Sequence, residues 1–356
     1  MCLVEDIPFL MRTIYRLHGV IQFSCNTPPK SFLTYFYRLY CLPVLLVYGY
    51  CCYSWLDFYV NIADTSPTKV DLIISGIGIA SSIVSLITFV VRNNKLKILL
   101  LELNAIKTKS PEAQKPETNW MKIGILSTVI THFVFMLVFP AFSDSCVYYF
   151  MPTAIGLSDH LFLDEILQYI RWEFTNINKE LERYCIENVA LNYQEMCRID
   201  EFSLRHCDLV SVTIDINKLF DIVTISSMIA WLVYAIDFFY YLIHSLLVEN
   251  TRITVLAFGI SDAFLMLLWF SMMVRMYSRT QNEANQGAEF VHDAWNQYCK
   301  NLNAQKKIMS SLEQISLRLL NHKIYFTARN FFKLDETFCH MMIAAIATYV
   351  VILFQF

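Results

Sequence analysis

Seven stretches of this chain are apolar enough to cross a membrane as helices, and nearly all of its basic residues fall on one side of them. The stretches cover about residues 35–56, 70–91, 121–142, 147–170, 219–247, 253–274 and 339–356. Some 20 apolar residues span a hydrocarbon core of about 30 Å. Within that core only helices and closed barrels satisfy their own backbone groups. The fourth stretch is interrupted by Asp159, His160, Asp164 and Glu165, so charge is needed to decide whether it counts. With seven spans and the N-terminus inside, 26 of the 28 Lys and Arg residues lie on the inner side, and only Lys69 and Arg252 lie outside. Without the fourth span the division becomes 12 inside against 16 outside. Basic residues favour the cytoplasmic side, so the fourth span is kept.

The sequence therefore predicts an all-α membrane protein. It has seven transmembrane helices, a cytoplasmic N-terminus and an extracellular C-terminus, with helices that extend into a cytoplasmic anchor bundle. Only 17% of the residues are charged, against about 25% in soluble proteins. Residues 1–34 lack a basic segment followed by a clean apolar stretch and a small-residue cleavage site, and are read as a retained cytoplasmic segment. Residues 35–274 form the first six spans with their inner extensions, which make up the ligand-binding bundle. Residues 275–338 form the anchor region, and residues 339–356 form the seventh helix. Most of the 11 cysteines fall in spans or on the inner side, where reduced thiols are expected. Cys146 is placed to bridge Cys51 or Cys52 at the outer surface. No Cys/His spacing suggests a metal, no cofactor is expected, and no nucleic-acid partner is implied.

The inner segments carry apolar stripes at helical spacing. Ile166, Ile170, Phe174, Ile177, Leu181 and Tyr184 form one. Phe290, Trp295, Tyr298 and Leu302 form a second, and Met309, Leu312, Ile315, Leu319 and Leu320 a third. Such stripes predict helices that leave the membrane and pack together. In the last span, at roughly 100° per residue, Met341, Ala345, Thr348, Ile352 and Gln355 share one narrow face. A membrane helix with one thin, partly polar stripe suits a pore that several copies enclose. The competing expectation is that the stripe packs against its own bundle.

Ionisable residues inside a membrane are costly and point to function by default. His132, Asp237 and Asp262 each fall near 15 Å deep, at about 1.5 Å per residue, and Asp159 and His160 lie at similar depth. Trp231, Tyr234 and Trp269 accompany them. Apolar walls with a few convergent polar groups are the usual form of a small-molecule site. These eight residues are the candidate ligand site. The opposing reading is that the ionisable groups pair with one another simply to survive burial.

The segment from His322 through Asp335, then Ala344-Ala345-Ile346-Ala347-Thr348-Tyr349, five apolar residues and Gln355-Phe356 resembles the C-terminal signature of insect gustatory receptors. Trp172 to Leu181 and Ile214 to Phe220 match that family's patterns beside the fourth and fifth spans, with Glu173 standing where an Arg is usual and Arg171 nearby. The resemblance implies a tastant-gated, nonselective cation channel of four subunits, homomeric or built with related receptors, at the plasma membrane of a sensory dendrite. By motif position, Thr348, Ile352, Gln355 and Phe356 would line or gate the pore. Val350 replaces the Glu that many sugar receptors carry there, which argues against the main sugar branch and for bitter or other non-volatile ligands, with a fructose-like receptor left open. The other readings are a partner subunit that binds no ligand and a secondary transporter. No nucleophile–base pair suggests an enzyme. The partners implied are a small tastant, permeant cations and the lipid bilayer.

Overall fold

The computed structural model describes residues 9–17, 20–21, 66–106, 151–186, 193–247, 253–300 and 306–355, with isolated positions 7, 46, 49, 50, 53 and 57. Among these residues the chain forms α1 (Phe9–Leu17), α2 (Ser66–Ile106), α3 (Met151–Ile186), α4 (Tyr193–Leu247), α5 (Ile253–Cys299), α6 (Lys306–Asn321), β1 (Thr327–Ala328), β2 (Phe332–Lys333) and α7 (Glu336–Gln355). The second, fourth, fifth, sixth and seventh predicted spans thus lie in α2, α3, α4, α5 and α7. The first span lies almost wholly, and the third wholly, outside the described residues. The proposed partners Cys51, Cys52 and Cys146 lie outside them too.

Helix length carries the architecture. A bilayer core needs about 20 helical residues, yet α3, α4 and α5 run for 36, 55 and 47. At 1.5 Å per residue, α4 is about 80 Å long. More than half of it must therefore find cover beyond the apolar spans, at the end of the bundle rich in Lys and Arg. Pro67 and Pro152 each stand second in their helices, α2 and α3, where a missing N–H costs nothing.

At this basic end α3 packs against α5 and α4. Of the first predicted stripe, Ile166, Ile170, Phe174, Ile177 and Leu181 are buried and Tyr184, at its end, is half-buried. The second is corrected. Phe290, Trp295 and Tyr298 are only half-buried, and Leu302 lies outside the described residues. The face of α5 that is covered carries Ala284, Ala288, Val291 and Ala294 instead. Gly287 lies beside them, where an added Cβ would stand 2.6 Å from Asn178 Oδ1. Small residues allow close approach, and the long apolar side chains settle at the edges of the contact. The buried Asn178 donates Nδ2–H to the Glu283 carbonyl at 2.7 Å. His206 lies 2.7 Å, through Nε2, from the Ala284 carbonyl. A carbonyl only accepts, so Nε2 carries the proton. Helix α6 adds Ile308, Leu312, Ile315 and Leu319 to the core. It is tied to α4 by Arg318–Asp200 at 2.8 Å. Helix α1 seats Tyr15 edge-on against Phe162 of α3, with ring centroids 5.3 Å apart.

A short hairpin joins α6 to α7, an element the sequence reading did not foresee. Thr327 pairs with Lys333 and Ala328 with Phe332. Side-chain amides hold it to the long helices. Asn285 of α5 donates to the Ile324 carbonyl at 3.1 Å and accepts the Ile324 N–H at 2.9 Å. Gln281 accepts the Phe326 N–H at 3.4 Å, and Asn217 of α4 donates to the Thr327 carbonyl at 3.3 Å. Asp335 then caps α7 by accepting the Phe338 N–H at 3.1 Å, as an N-cap carboxylate does.

Two outcomes follow from these contacts. Asn285→Ala removes both partners of a buried backbone unit and should cost about 1–3 kcal/mol, read as a lower unfolding temperature of the purified protein. Burial pushes His206 down from 6.5 to about 4. The unfolded chain then binds more protons than the folded one between those values, so stability should fall as pH drops below about 6.5. By pH 5 the loss should reach up to about 2 kcal/mol. His206→Gln, which retains a donor for Ala284, should flatten that slope in unfolding scans from pH 7 to pH 5.

Candidate functional site

Four helices meet inside the apolar part of the bundle. Helix α2 brings Gly78, Ser82 and Ser85, and α3 brings Gly156, Asp159 and His160. Helix α4 brings Ser227, Met228, Trp231 and Tyr234, and α5 brings Trp269, Phe270 and Met273. Ser227, Met228, Trp231, Trp269, Phe270 and Met273 line a tight crevice with no room for a water molecule. Its walls are aromatic rings and thioethers, with a single hydroxyl.

On α3, buried polar groups lie against Trp269 and against α2. Asp159 is 1% exposed and accepts a hydrogen bond from the Ser85 hydroxyl. His160 is equally buried, and its Nδ1 donates to the Gly156 carbonyl at 2.7 Å. Nε2 is thereby left as the acceptor of a neutral ring. The imidazole stands edge-on to Trp269, with centroids 5.4 Å apart. Asp159 Oδ1, His160 Nε2 and Trp269 Nε1 are buried and have no hydrogen-bond partner among the described residues. The His160 imidazole thus brings a buried acceptor against one wall of the apolar slot, and Trp269, itself a lining residue, carries a buried donor; small-molecule sites use such pairs to orient a ligand. A buried polar atom without a partner is costly to maintain, and a ligand hydroxyl or amine could satisfy these.

The predicted ligand residues divide accordingly. Trp231 and Trp269 line the crevice, His160 stands against Trp269, and Asp159, beside it on α3, bonds Ser85 of α2. Tyr234 is buried in a separate contact between α4 and α2, packed with Ile74 and Ala230. Asp237 is half-buried, and six residues along an α-helix turn it well away from the Trp231 face. Asp262 lies in α5, but the environment of its side chain is not among the described residues, and His132 lies outside them. The sequence reading missed Ser85, Ser227, Met228, Phe270 and Met273. In a helix this apolar, nothing in the pattern separates a crevice-lining Met or Phe from one that faces lipid.

A run of ring contacts leads from the crevice to α7. Trp231 stacks on Phe270 at 4.2 Å and 13°. Phe270 meets Phe338, in the first turn of α7, at 6.0 Å. Phe338 stacks on Phe332 of the hairpin at 4.4 Å and 6°. Among the residues of α7 whose side chains are described, only Phe338, Met342, Ile346 and Val350 are buried, a strip one residue wide against α4 and α5. On the predicted stripe Met341 is 54% and Ile352 40% exposed. Thr348 is also exposed, and its hydroxyl donates to the Ala344 carbonyl at 2.8 Å. The expectation that this stripe packs into its own bundle therefore fails at these three positions. Ala345 is half-buried. Helix α7 reaches Gln355, whose side-chain environment is not described, and Phe356 lies outside the described residues.

Among the described residues no group of three or more His, Cys, Asp and Glu is placed to hold a metal. Cys185, Cys197, Cys207, Cys299 and Cys339 are free thiols.

A family model described as 7tm Chemosensory receptor matches residues 9–356. The fold is similar to that of the insect olfactory receptor OR5 from Machilis hrabei. The TM-score is 0.67 at 12% sequence identity, with 97% of each chain covered. The same receptor in complex with eugenol matches at a TM-score of 0.67 and 13% identity, again over 97% of each chain. No curated protein matches the chain in sequence.

Gly78 leads to an expected outcome. A Cβ there would stand 2.7 and 2.8 Å from Cζ and Cε2 of Tyr234 and closer still to its hydroxyl. Gly78→Ala should therefore cost about 1–3 kcal/mol through overpacking. Tyr234→Phe in the same chain should recover part of that loss, a non-additivity that unfolding temperatures of the single and double variants would reveal.

Proposed function

The chain belongs to the 7tm chemosensory receptor family, a family of multi-pass membrane receptors, and from that premise we propose that it is a gustatory receptor that opens a nonselective cation pore when a tastant binds. Four copies surround the pore, each contributing α7. The N-terminus and the basic ends of the helices lie in the cytoplasm, and the C-terminus lies outside. The observation that carries this reading is the bare face of α7. A helix ending in an apolar run leaves Met341, Thr348 and Ile352 uncovered by its own chain, which suits a face shared with other copies around an ion path. Gln355 and Phe356 would complete the constriction beyond Ile352.

The ligand we assign is a planar, largely apolar molecule with at least one hydroxyl or amine, of the kind that tastes bitter. Six lining residues with one hydroxyl among them would leave most hydroxyls of a sugar unpaired, which is costly. Aromatic faces also suit alkaloid cations. A ligand entering the slot would separate Trp231 from Phe270, and Phe270 bears on Phe338 at the foot of α7. The pore opens only to the extent that the ligand binds the open arrangement more tightly than the closed one.

Whole-cell current from this chain in a non-sensory cell, challenged with bitter compounds and sugars, tests the reading. We expect a bitter-evoked cation current. Gln355→Ala should change its ion selectivity or basal leak. Trp269→Leu should shift ligand potency by about tenfold or more without moving selectivity, in keeping with an aromatic contact of 1–2 kcal/mol. Expression with related receptors tests the role of a partner subunit in the same assay. Normal surface expression with no current, alone or together with them, would defeat the channel assignment.

A further inference from the structure

The outer face of the hairpin before α7 carries charge that nothing else in the described chain uses. From residue 323 onward the burial alternates. Ile324, Phe326 and Ala328 are buried, and Leu334 is buried on the returning strand. Lys323, Tyr325 and Lys333 are exposed. The two-residue period of extended chain places them on one side, and Lys333 Nζ lies 4.7 Å from the centre of the Tyr325 ring.

At the tip, Arg329 and Asn330 have φ of 52° and 62°. Asn tolerates that region, whereas Arg is held there at a cost of about 1 kcal/mol. The turn bond from the Phe331 N–H to the Ala328 carbonyl at 3.0 Å fixes it, with the Thr327 hydroxyl donating to Asn330 Oδ1 at 3.1 Å. The strained backbone presents Arg329 outward, exposed and without a hydrogen bond or ion pair among the described residues. Phe331 beside it is 76% exposed.

The nearest acids are engaged elsewhere. Asp335 caps the Phe338 N–H, and Glu336 stands in the first turn of α7, where the helix dipole favours a negative charge. Lys333 precedes the apolar helix by three residues, which puts the hairpin at the level where α7 enters the bilayer. Exposed aromatic rings at that level seat among headgroups. Arg and Lys there bind phosphate, Arg through its planar fork and Lys as a point charge.

We propose that the hairpin face formed by Lys323, Tyr325, Arg329, Phe331 and Lys333 is a binding site for the headgroup of an anionic phospholipid in the cytoplasmic leaflet. The three cations hold the phosphate, and Phe331 dips into the interface. The site touches the segment that sets the position of α7, so lipid composition would bias the resting state of the receptor. This assignment rests on the cytoplasmic placement of the basic ends proposed above.

The test uses the full chain in its native assembly, extracted gently from vesicles of phosphatidylcholine with a minority of phosphatidylserine. Retained lipids are counted by native mass spectrometry. Wild type should retain phosphatidylserine in preference to phosphatidylcholine. The variant Lys323→Gln/Arg329→Asn/Lys333→Gln should lose about tenfold of that binding; Asn at 329 suits the left-handed turn. The single Lys333→Gln guards against a folding defect and should lose part of it. Lys306→Gln/Lys307→Gln on α6 should leave it intact. Equal retention by wild type and triple variant would overturn the site. So would chemical cross-linking that joins Lys323 or Lys333 to a second copy of the chain, since the face would then be an interface between subunits. A membrane-impermeant amine reagent applied outside intact cells separates the two levels of the argument. Labelling of Lys323 or Lys333 would sink the orientation and the site together. No labelling, combined with equal lipid retention, would sink the site alone.

Discussion

Helix α7 is held chiefly at one end, and the rest of the assignment depends on how. Its body touches its own chain along a strip one residue wide, too little to fix a 20-residue helix. What positions it is the segment before it. Asn285 grips both backbone groups of Ile324, Gln281 accepts from Phe326, and Asn217 donates to Thr327. Backbone groups in a short connector have few partners of their own and must find them elsewhere. Here the partners come from the two longest helices, so any shift of α4 against α5 is felt directly at the foot of α7.

The same junction gathers other polar contacts. Arg92 of α2 donates to the carbonyls of Lys218 and Leu219 at 2.9 and 2.8 Å, and it lies 3.7 Å from Asp221. A guanidinium that bonds main-chain carbonyls midway along a helix marks a place where α4 is tied to its neighbour from outside its own ladder. Thr224 and Tyr277 share a hydrogen bond at 3.1 Å, and Tyr277 packs on Phe326 of the connector at 5.1 Å. Helices α4 and α5 therefore reach the connector through polar bonds, α2 is tied to α4 beside Asn217, and the crevice reaches the connector through rings. Polar bonds with few alternative partners resist small drift. Stacked rings can slide.

Much of this was legible in the sequence, for identifiable reasons. Burial of Ile166, Ile170, Phe174, Ile177 and Leu181 followed from large apolar side chains at helical spacing, a signal that survives outside a membrane because the opposite face must be polar. The covered face of α5 was not legible. Its Ala284, Gly287 and Ala288 matter for being small, and periodicity of hydrophobic bulk pointed to Phe290 and Trp295 at the margin. The hairpin was invisible because Arg329-Asn330 lacks the glycine that such a turn normally shows, and strands of two residues have no period to detect. Inside the bilayer the pattern fails altogether, since lipid and protein interior select the same side chains. Only the rare polar residues spoke there. Trp231 and Trp269, singled out in the sequence, line the crevice and His160 stands against Trp269, while Phe270, which connects it to α7, looked like any other apolar position.

The tightness of the crevice bears on how a signal could pass. With Trp231 and Phe270 stacked at 4.2 Å and no room for water between the lining side chains, a ligand cannot enter by filling space already there. It must part the stack. Close-packed interiors move between discrete arrangements rather than stretching, so Phe270 would take up a new position against Phe338 rather than a slightly altered one. His160 Nε2 and Trp269 Nε1, whose rings meet beside the crevice, are unpartnered among the described residues. Each bond formed to one of them relieves a buried polar atom, and that gain offsets the lost ring contact. A shift from mostly closed to mostly open needs about 5.5 kcal/mol of differential binding for a hundredfold bias on each side. Two such bonds, at about 1–3 kcal/mol each, supply that order of free energy without any contact from the ligand to the pore itself.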